Sequence, residues 1–175
     1  MIVWILEVRK PPLGPEANRA LPALNNATSH ESADVRASAL SALARVETDE
    51  QGKLIPVLKT ALTDPLANVR HTAIRSLGEL GSAARSAGPE LFARLEVSED
   101  RQLTMDALRK VRVRDVDLYI SILQNDEPLV RFFGCQALRR MGRGASKAEP
   151  ELKKLQHDEY SYIRREARKA LDAIR

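Results

Sequence analysis

Apolar and polar residues alternate along this chain with helical spacing, and one nine-residue arrangement keeps returning. Val35-Arg36-x-x-Ala39-x-x-Ala42-Leu43 reappears as Val69-Arg70-x-x-Ala73-x-x-Ser76-Leu77, as Val130-Arg131-x-x-Gly134-x-x-Ala137-Leu138 and as Ile163-Arg164-x-x-Ala167-x-x-Ala170-Leu171. A worn copy, Asp100-Arg101-x-x-Thr104-x-x-Ala107-Leu108, stands between the second and the fourth. At about 100° per residue the aliphatic and small positions fall on one arc, so each copy predicts an amphipathic helix, here called B. Leu40, Ile74, Met105 and Cys135, five residues beyond the first position, widen that arc to a helix packed on three sides. The arginines lie 34, 31, 30 and 33 residues apart. That period belongs to stacked helical units, not to one central core.

A shorter apolar segment precedes each B helix. Leu21-Pro22-x-Leu24, Ile55-Pro56-x-Leu58, Gly88-Pro89-x-Leu91 and Glu149-Pro150-x-Leu152 share one register, with Asp115-Val116-x-Leu118 as its proline-free copy. Each unit is therefore helix A, a tight turn and helix B. Proline is tolerated in a first helical turn, where the amides lack partners anyway. Pro22 and Pro56 are expected to sit further in and to kink helix A or delay its start. The turns Thr63-Asp64-Pro65, Asn125-Asp126-Glu127-Pro128 and His157-Asp158-Glu159 offer side-chain oxygens that can cap helix B. Gly78-x-x-Gly81 and Gly142-x-Gly144 end two B helices. From each arginine to the next A register takes 20, 19, 15 and 19 residues, so the third unit is short and the array should be irregular there.

These features together resemble the HEAT-repeat family, in particular its short bacterial HEAT-like repeats of about thirty residues. The resemblance implies an all-α, right-handed α-solenoid (superhelix) of about five two-helix repeats, at about 16–47, 52–81, 88–111, 115–142 and 148–175, after a non-repeat N-terminal segment 1–15. It also implies a ladder in which turn aspartate and B-helix arginine link neighbouring repeats. The matching pairs are Asp64 with Arg70, Asp126 with Arg131 and Asp158 with Arg164, with gaps expected at Arg36 and Arg101. B helices line the concave face in such arrays, so the row six residues beyond the first motif position should face inward. That row is Ser41, Arg75, Asp106, Gln136 and Lys169, flanked by His71, Gln102, Phe132 and Arg165 on one side and Glu79, Lys110 and Arg140 on the other.

Composition narrows the partner. Apolar residues make up 43% of the chain and charged residues 30%, as in a chain with a real core. Aromatics are only 4%, so small and branched side chains must do the packing. Residues 131–175 hold 12 Lys/Arg against 6 Asp/Glu, so the basic character belongs to the C-terminal quarter. The single cysteine, Cys135, excludes an internal disulfide. No apolar run reaches the ~18–20 residues needed to span a bilayer. A cytoplasmic protein without membrane insertion is expected.

Phe132 and Phe133 stand where the other copies have smaller or polar pairs apart from Leu103, and both fall outside the computed buried arc. Exposed aromatics beside Arg139 and Arg140 read as an anchor for a protein partner. The candidate contact set is Phe132, Phe133, Arg75, Lys110, Gln136, Arg139, Arg140, Arg165 and Lys169. No glycine-rich phosphate loop, Cys-x-x-Cys or His-Glu-x-x-His is present, and His30, His71 and His157 pair with nothing at ligand spacing. The His-Glu pairs of deoxyhypusine hydroxylase-type arrays are replaced by His71-Thr72 and Phe132-Phe133. No catalytic residue, metal or cofactor is expected. The reading is a non-catalytic scaffold that binds a protein partner through its B helices. A nucleic-acid-binding module using the basic C-terminal half, and a lyase-type accessory subunit, are the alternatives. Asp106, Glu79 and Glu166 interrupt the basic row that phosphate binding would want.

Overall fold

The computed structural model describes residues 19–45 and 51–175, with the backbone alone at 51–53. The expected non-repeat segment 1–15 lies outside the described residues, as do 16–18 and 46–47 at the margins of the first repeat. A helices α1 (Leu21–Ala27), α3 (Gln51–Ala61), α5 (Gly88–Ala93), α7 (Val116–Ser121) and α9 (Glu149–Lys154) alternate with B helices. These are α2 (Ala33–Leu43), α4 (Ala67–Leu80), α6 (Ser98–Val111), α8 (Pro128–Met141) and α10 (Ser161–Ile174). The chain is thus an all-α array of two-helix repeats. Among the described residues no helix is long and apolar enough to cross a membrane.

Proline stands in four of the five A helices. Pro22, Pro89 and Pro150 occupy first turns, so α1 starts late enough to accommodate Pro22, while Pro56 lies inside α3. Single 3₁₀ turns at Arg94–Glu96, Ile122–Gln124 and Leu155–His157 follow α5, α7 and α9 and tighten the approach to helix B.

The chain forms two compact units, residues 1–76 and 77–175. In the first, Ala39, Leu40 and Leu43 of α2 are buried, as are Ile55 and Leu58 of α3 and Val69, Ala73 and Ile74 of α4. Val35, expected in the buried arc, is 37% exposed. In the second, α8 packs on α10 and on α6, so cohesion passes from one B helix to the next. Leu108, Leu138 and Leu171 are buried. Full burial of one such side chain contributes about 1.5–3 kcal/mol, so the repeated leucine is a principal term in each repeat.

Two connectors join B helices to the following A helices by the same device. Gly81 and Gly142 adopt φ of 57° and 59°, ending α4 and α8 in the left-handed region where glycine is free of Cβ strain. Seven-residue 3₁₀ segments follow, Gly81–Ala87 and Gly142–Ala148, with Ala84, Ala87, Ala145 and Ala148 fully buried. The first packs on α6 and the second on α10. After α6 the device is missing. Arg112 itself turns left-handed at φ 56°, and Val113-Arg114-Asp115 lead directly into α7. The short third repeat is therefore a lost connector, not a shortened helix.

The arginine ladder exists but is wired differently from the expectation. Asp64 and Arg70, Asp126 and Arg131, and Asp158 and Arg164 do meet, but through main-chain carbonyls. Arg70 Nη1 donates to Asp64 O at 3.1 Å, Arg131 Nη1 to Asp126 O at 3.0 Å and Arg164 Nη1 to Asp158 O at 2.7 Å. The turn carboxylates bind the arginine of the preceding repeat instead. Asp64 accepts from Arg36 Nε at 2.8 Å and Nη2 at 2.9 Å, and Asp158 accepts from Arg131 Nε at 2.8 Å and Nη2 at 3.3 Å. The gaps expected at Arg36 and Arg101 are closed. Arg36 Nη1 reaches the carbonyls of His30 and Glu31, and Arg101 donates to Leu95 O and to Glu127 Oε2 at 3.0 Å. The turn acids also do not cap helix B. They accept from the amide two residues on, at Leu66, Glu127 (from Asn125) and Tyr160, which fixes the turn ahead of the helix.

Burial raises the Asp158 pKa, but the Arg131 hydrogen bond, the Tyr160 amide and the arginine charges outweigh it and hold the carboxyl below its ordinary value. Because the folded pKa is the lower one, the stabilisation is complete above the unfolded value of about 3.9 and is lost as pH falls through the folded pKa. Asp158, with its side chain 4% exposed, is the more buried of the two ladder aspartates. Asp158→Asn should lower stability at neutral pH by about 2 kcal/mol. It should also flatten the stability curve below about pH 4, measured by denaturant titration across pH. A variant curve parallel to wild type in that range would contradict the assignment.

Gly134 occupies the position held by Ala39, Ala73 and Ala167 in other repeats. A Cβ there would come within 2.8 Å of Leu123 Cδ2 and 3.3 Å of Ile122 Cγ1, both in buried side chains. Alanine gains about 1 kcal/mol of helix propensity, against an overpacking cost of about 1–3 kcal/mol. Gly134→Ala should therefore lower the melting temperature although it restores the motif, and a rise would show that Leu123 yields freely.

Candidate functional site

The expected contact residues separate into three groups. Arg75 is exposed on α4 in the first unit. In the second unit Lys110, Arg140, Arg165 and Lys169 are exposed and Gln136 is half-buried, forming the polar side of α6, α8 and α10. Arg139 is engaged: its Nε lies 2.8 Å from Glu166 Oε1, a carboxylate only 7% exposed, and Lys169 Nζ lies 3.9 Å from the other oxygen. Glu166 is thus an interior counter-charge between α8 and α10, which the surface reading of its position missed.

The two phenylalanines part company. Phe133, expected to be exposed, is buried at 2%. Its ring centroid lies 6.1 Å from that of Tyr119, which in turn meets Phe92 edge-on at 4.9 Å, and the Arg109 guanidinium sits 5.1 Å over the Phe133 ring. The position lies just beside the computed arc, and a side chain as long as phenylalanine bridges the difference. Phe132 is half-buried and meets Tyr162 edge-on at 5.4 Å. Tyr162 meets Tyr160 at 5.6 Å, with Arg131 6.0 Å over the Tyr160 ring. Tyr160 is 39% exposed and Leu129, one turn before Phe132, is 50% exposed. An aromatic ledge with an aliphatic edge therefore lies along the starts of α8 and α10. Tyr160 stands immediately ahead of α10 and Tyr162 in its first turn, both before the repeat motif begins at Ile163, so motif reading alone did not couple them to Phe132.

A second feature follows from the lost connector. A groove of about 730 Å³ opens where α6 and α8 end, lined by Arg109, Arg112, Arg114 and Arg140 around Tyr119, Phe133 and Met141. No carboxylate lines it. Burial pushes the Tyr119 hydroxyl up to about 12, opposed by the charge of Arg140, so the phenol stays protonated at neutral pH.

Neither feature carries catalytic or metal-binding chemistry by its residue types. Among the described residues no three His, Cys, Asp or Glu side chains are grouped to hold a metal ion. Cys135 is free and buried, and burial above all, with the Glu166 and Asp158 charges adding to it, pushes its thiol up to about 12. A thiol so placed is a poor nucleophile. Ellman's reagent should leave Cys135 unmodified in the folded protein and react with one equivalent after unfolding in guanidinium chloride. Fast reaction of the native protein would show a more open α8.

Comparison with known proteins agrees with this architecture. The sequence profile of HEAT repeats matches residues 20–112, and the chain belongs to that family. Among solved structures, an engineered protein from a structural genomics consortium is similar at 22% identity and TM-score 0.60, over 89% of this chain and 79% of that one. The complex of CpcE and CpcF of phycocyanin lyase from Nostoc sp. PCC7120 is similar at 19% identity and TM-score 0.58, over 99% of this chain and 70% of that one. A designed armadillo repeat protein in complex with the peptide (KR)4 is similar at 18% identity and TM-score 0.56, over 91% of this chain and 83% of that one. At such identities the likeness is one of fold, that of α-solenoid repeat proteins. No curated protein matches the sequence.

Proposed function

We propose that the chain is a non-catalytic protein-interaction scaffold that docks its partner on the B-helix side of the second unit. The observation that carries this reading is the ledge of Leu129, Phe132, Tyr160 and Tyr162. It is a semi-exposed aromatic surface in a chain with only 4% aromatics, bordered by the exposed Arg165. Partly buried rings of this kind are pre-ordered by their mutual contacts, so docking on them costs little side-chain entropy. Within the family a repeat array commonly serves as a binding surface, and the designed armadillo neighbour holds a peptide. A cytoplasmic location fits the single unpaired cysteine.

The nucleic-acid alternative loses ground because acidic residues interrupt the basic row. Arg139 and Lys169 face Glu166, and Arg109 binds Asp106 at 2.6 Å. The lyase-type alternative rests on fold likeness alone, which does not fix function.

The test is capture from the source organism by immobilised wild type and by Phe132→Ala. The variant should remain folded, with a melting temperature lowered by a few degrees at most, because Phe132 is only half-buried. It should lose the partner by about tenfold or more. Capture should survive nuclease treatment and change little between low and moderate salt. Unfolding of Phe132→Ala would assign the ring to the core. Binding that collapses steeply with salt and nuclease would give the surface to nucleic acid.

A further inference from the structure

The groove at the ends of α6 and α8 exists because repeat three lacks its connector. Where the connector is present, buried alanines of 81–87 and 142–148 cover the neighbouring B helix. Beside α8 that place is taken by Phe133 and Tyr119 as a floor, with Val113 and Met141 as walls. The rim is four arginines. Arg109 is held by Asp106, and Arg85 donates to the main-chain carbonyl of Arg112 at 3.3 Å. Arg112, Arg114 and Arg140 are exposed. The acidic residues nearest in sequence are otherwise engaged: Asp115 caps α7 by accepting from the Asp117 amide, and Asp117 binds Lys147 at 2.6 Å.

Resting on the scaffold reading above, we propose that this groove is the specificity pocket of the docking surface and takes an acidic peptide segment that inserts one apolar side chain. Each half of that ligand answers a feature of the groove. Guanidinium forks bind carboxylates in pairs and are more weakly hydrated than lysine, so their desolvation on binding costs less. The floor of Tyr119, Phe133 and Met141 is apolar and adaptable, and its depth suits a single side chain. A nucleic-acid strand fits poorly. Its phosphates call for a basic stripe running on past the groove, whereas Asp106 on one side and Glu166 on the other break the row, and the aromatic floor lies buried below the level at which successive bases would stack.

The probe is a fluorescein-labelled peptide of glutamates flanking one leucine, read by fluorescence anisotropy. Comparison peptides replace the glutamates by glutamine or the leucine by glycine, and a thymidine oligonucleotide of equal charge completes the set. The glutamate–leucine peptide should bind saturably, and either replacement should weaken it by about tenfold or more. The double variant Arg114→Glu/Arg140→Glu should weaken it at least as much, while Arg168→Glu, an equal step in charge per residue on the exposed side of α10, should not. Ala137→Trp, which fills the groove without changing charge, should also abolish binding, with circular dichroism confirming the fold in every variant. Equal binding of the oligonucleotide, unchanged binding in Ala137→Trp, or no saturable binding of the peptide overturns the proposal. A partner that is lost with Phe132→Ala but retained by Ala137→Trp would leave the scaffold reading standing and sink the groove alone.

Discussion

In three repeats a single guanidinium, that of Arg36, Arg101 or Arg131, ties its own A–B turn to a carboxylate of the following turn. The turn between helices A and B is tight, and two of its carbonyls accept from the B-helix arginine of the same repeat. Buried carbonyls without donors cost about as much as a lost hydrogen bond each. Arg131 meets this cost at the fourth repeat by giving Nη1 to the carbonyls of Asn125 and Asp126, and Nε and Nη2 to the carboxylate of Asp158. Arg36 does the same with His30, Glu31 and Asp64. The requirement is geometric: five N–H donors in a rigid plane can serve a turn and a carboxylate at once, and an ammonium cannot. Arginine at this position is thus explained by backbone satisfaction first and by charge second. An ion pair alone contributes little and can even cost stability when buried.

That constraint also shows what sequence could and could not disclose. The B-helix arginines, their period and the turn acids were legible, because motif and spacing are properties of one repeat. The direction of the bond was not. Pairing Asp64 with Arg70 is the short-range solution, six residues apart, whereas the carboxylate reaches back 28 residues to Arg36. Nothing within a single repeat states which neighbour supplies the donor. Arg101 illustrates the converse: its own copy of the motif is worn, yet Glu127 of the following turn, one residue beyond the expected Asp126, supplies its carboxylate. A damaged motif can keep its function when the compensating residue lies in the next unit.

The phenylalanines make a similar point about surfaces. Helical-wheel geometry places both Phe132 and Phe133 outside the buried arc, since it knows angles and not lengths. Phe133 reaches inward to Tyr119 because its position is close enough to the arc for a long ring to bridge the difference. Phe132 stays outward because Tyr162 stands beside it. The contact set therefore survives only in part as a surface. Phe132 and the exposed cations belong to it, Phe133 belongs to the floor of the groove, and Arg139 belongs to a bridge with Glu166.

The short third repeat ties these strands together. Deleting a connector from a stacked array removes its filling alanines without disturbing the ladder, because the ladder lies at the opposite end of the B helices, in the A–B turns. Arg101 and Arg131 keep their carboxylates on either side of the deletion. The array can thus lose packing at one end of a repeat while register is held at the other, and the space released is lined by whatever side chains end the flanking helices. Here those are arginines and aromatics. Cohesion that runs only between neighbours makes such a change local: a single interior core would have to repack throughout, whereas a repeat array turns the same deletion into a pocket.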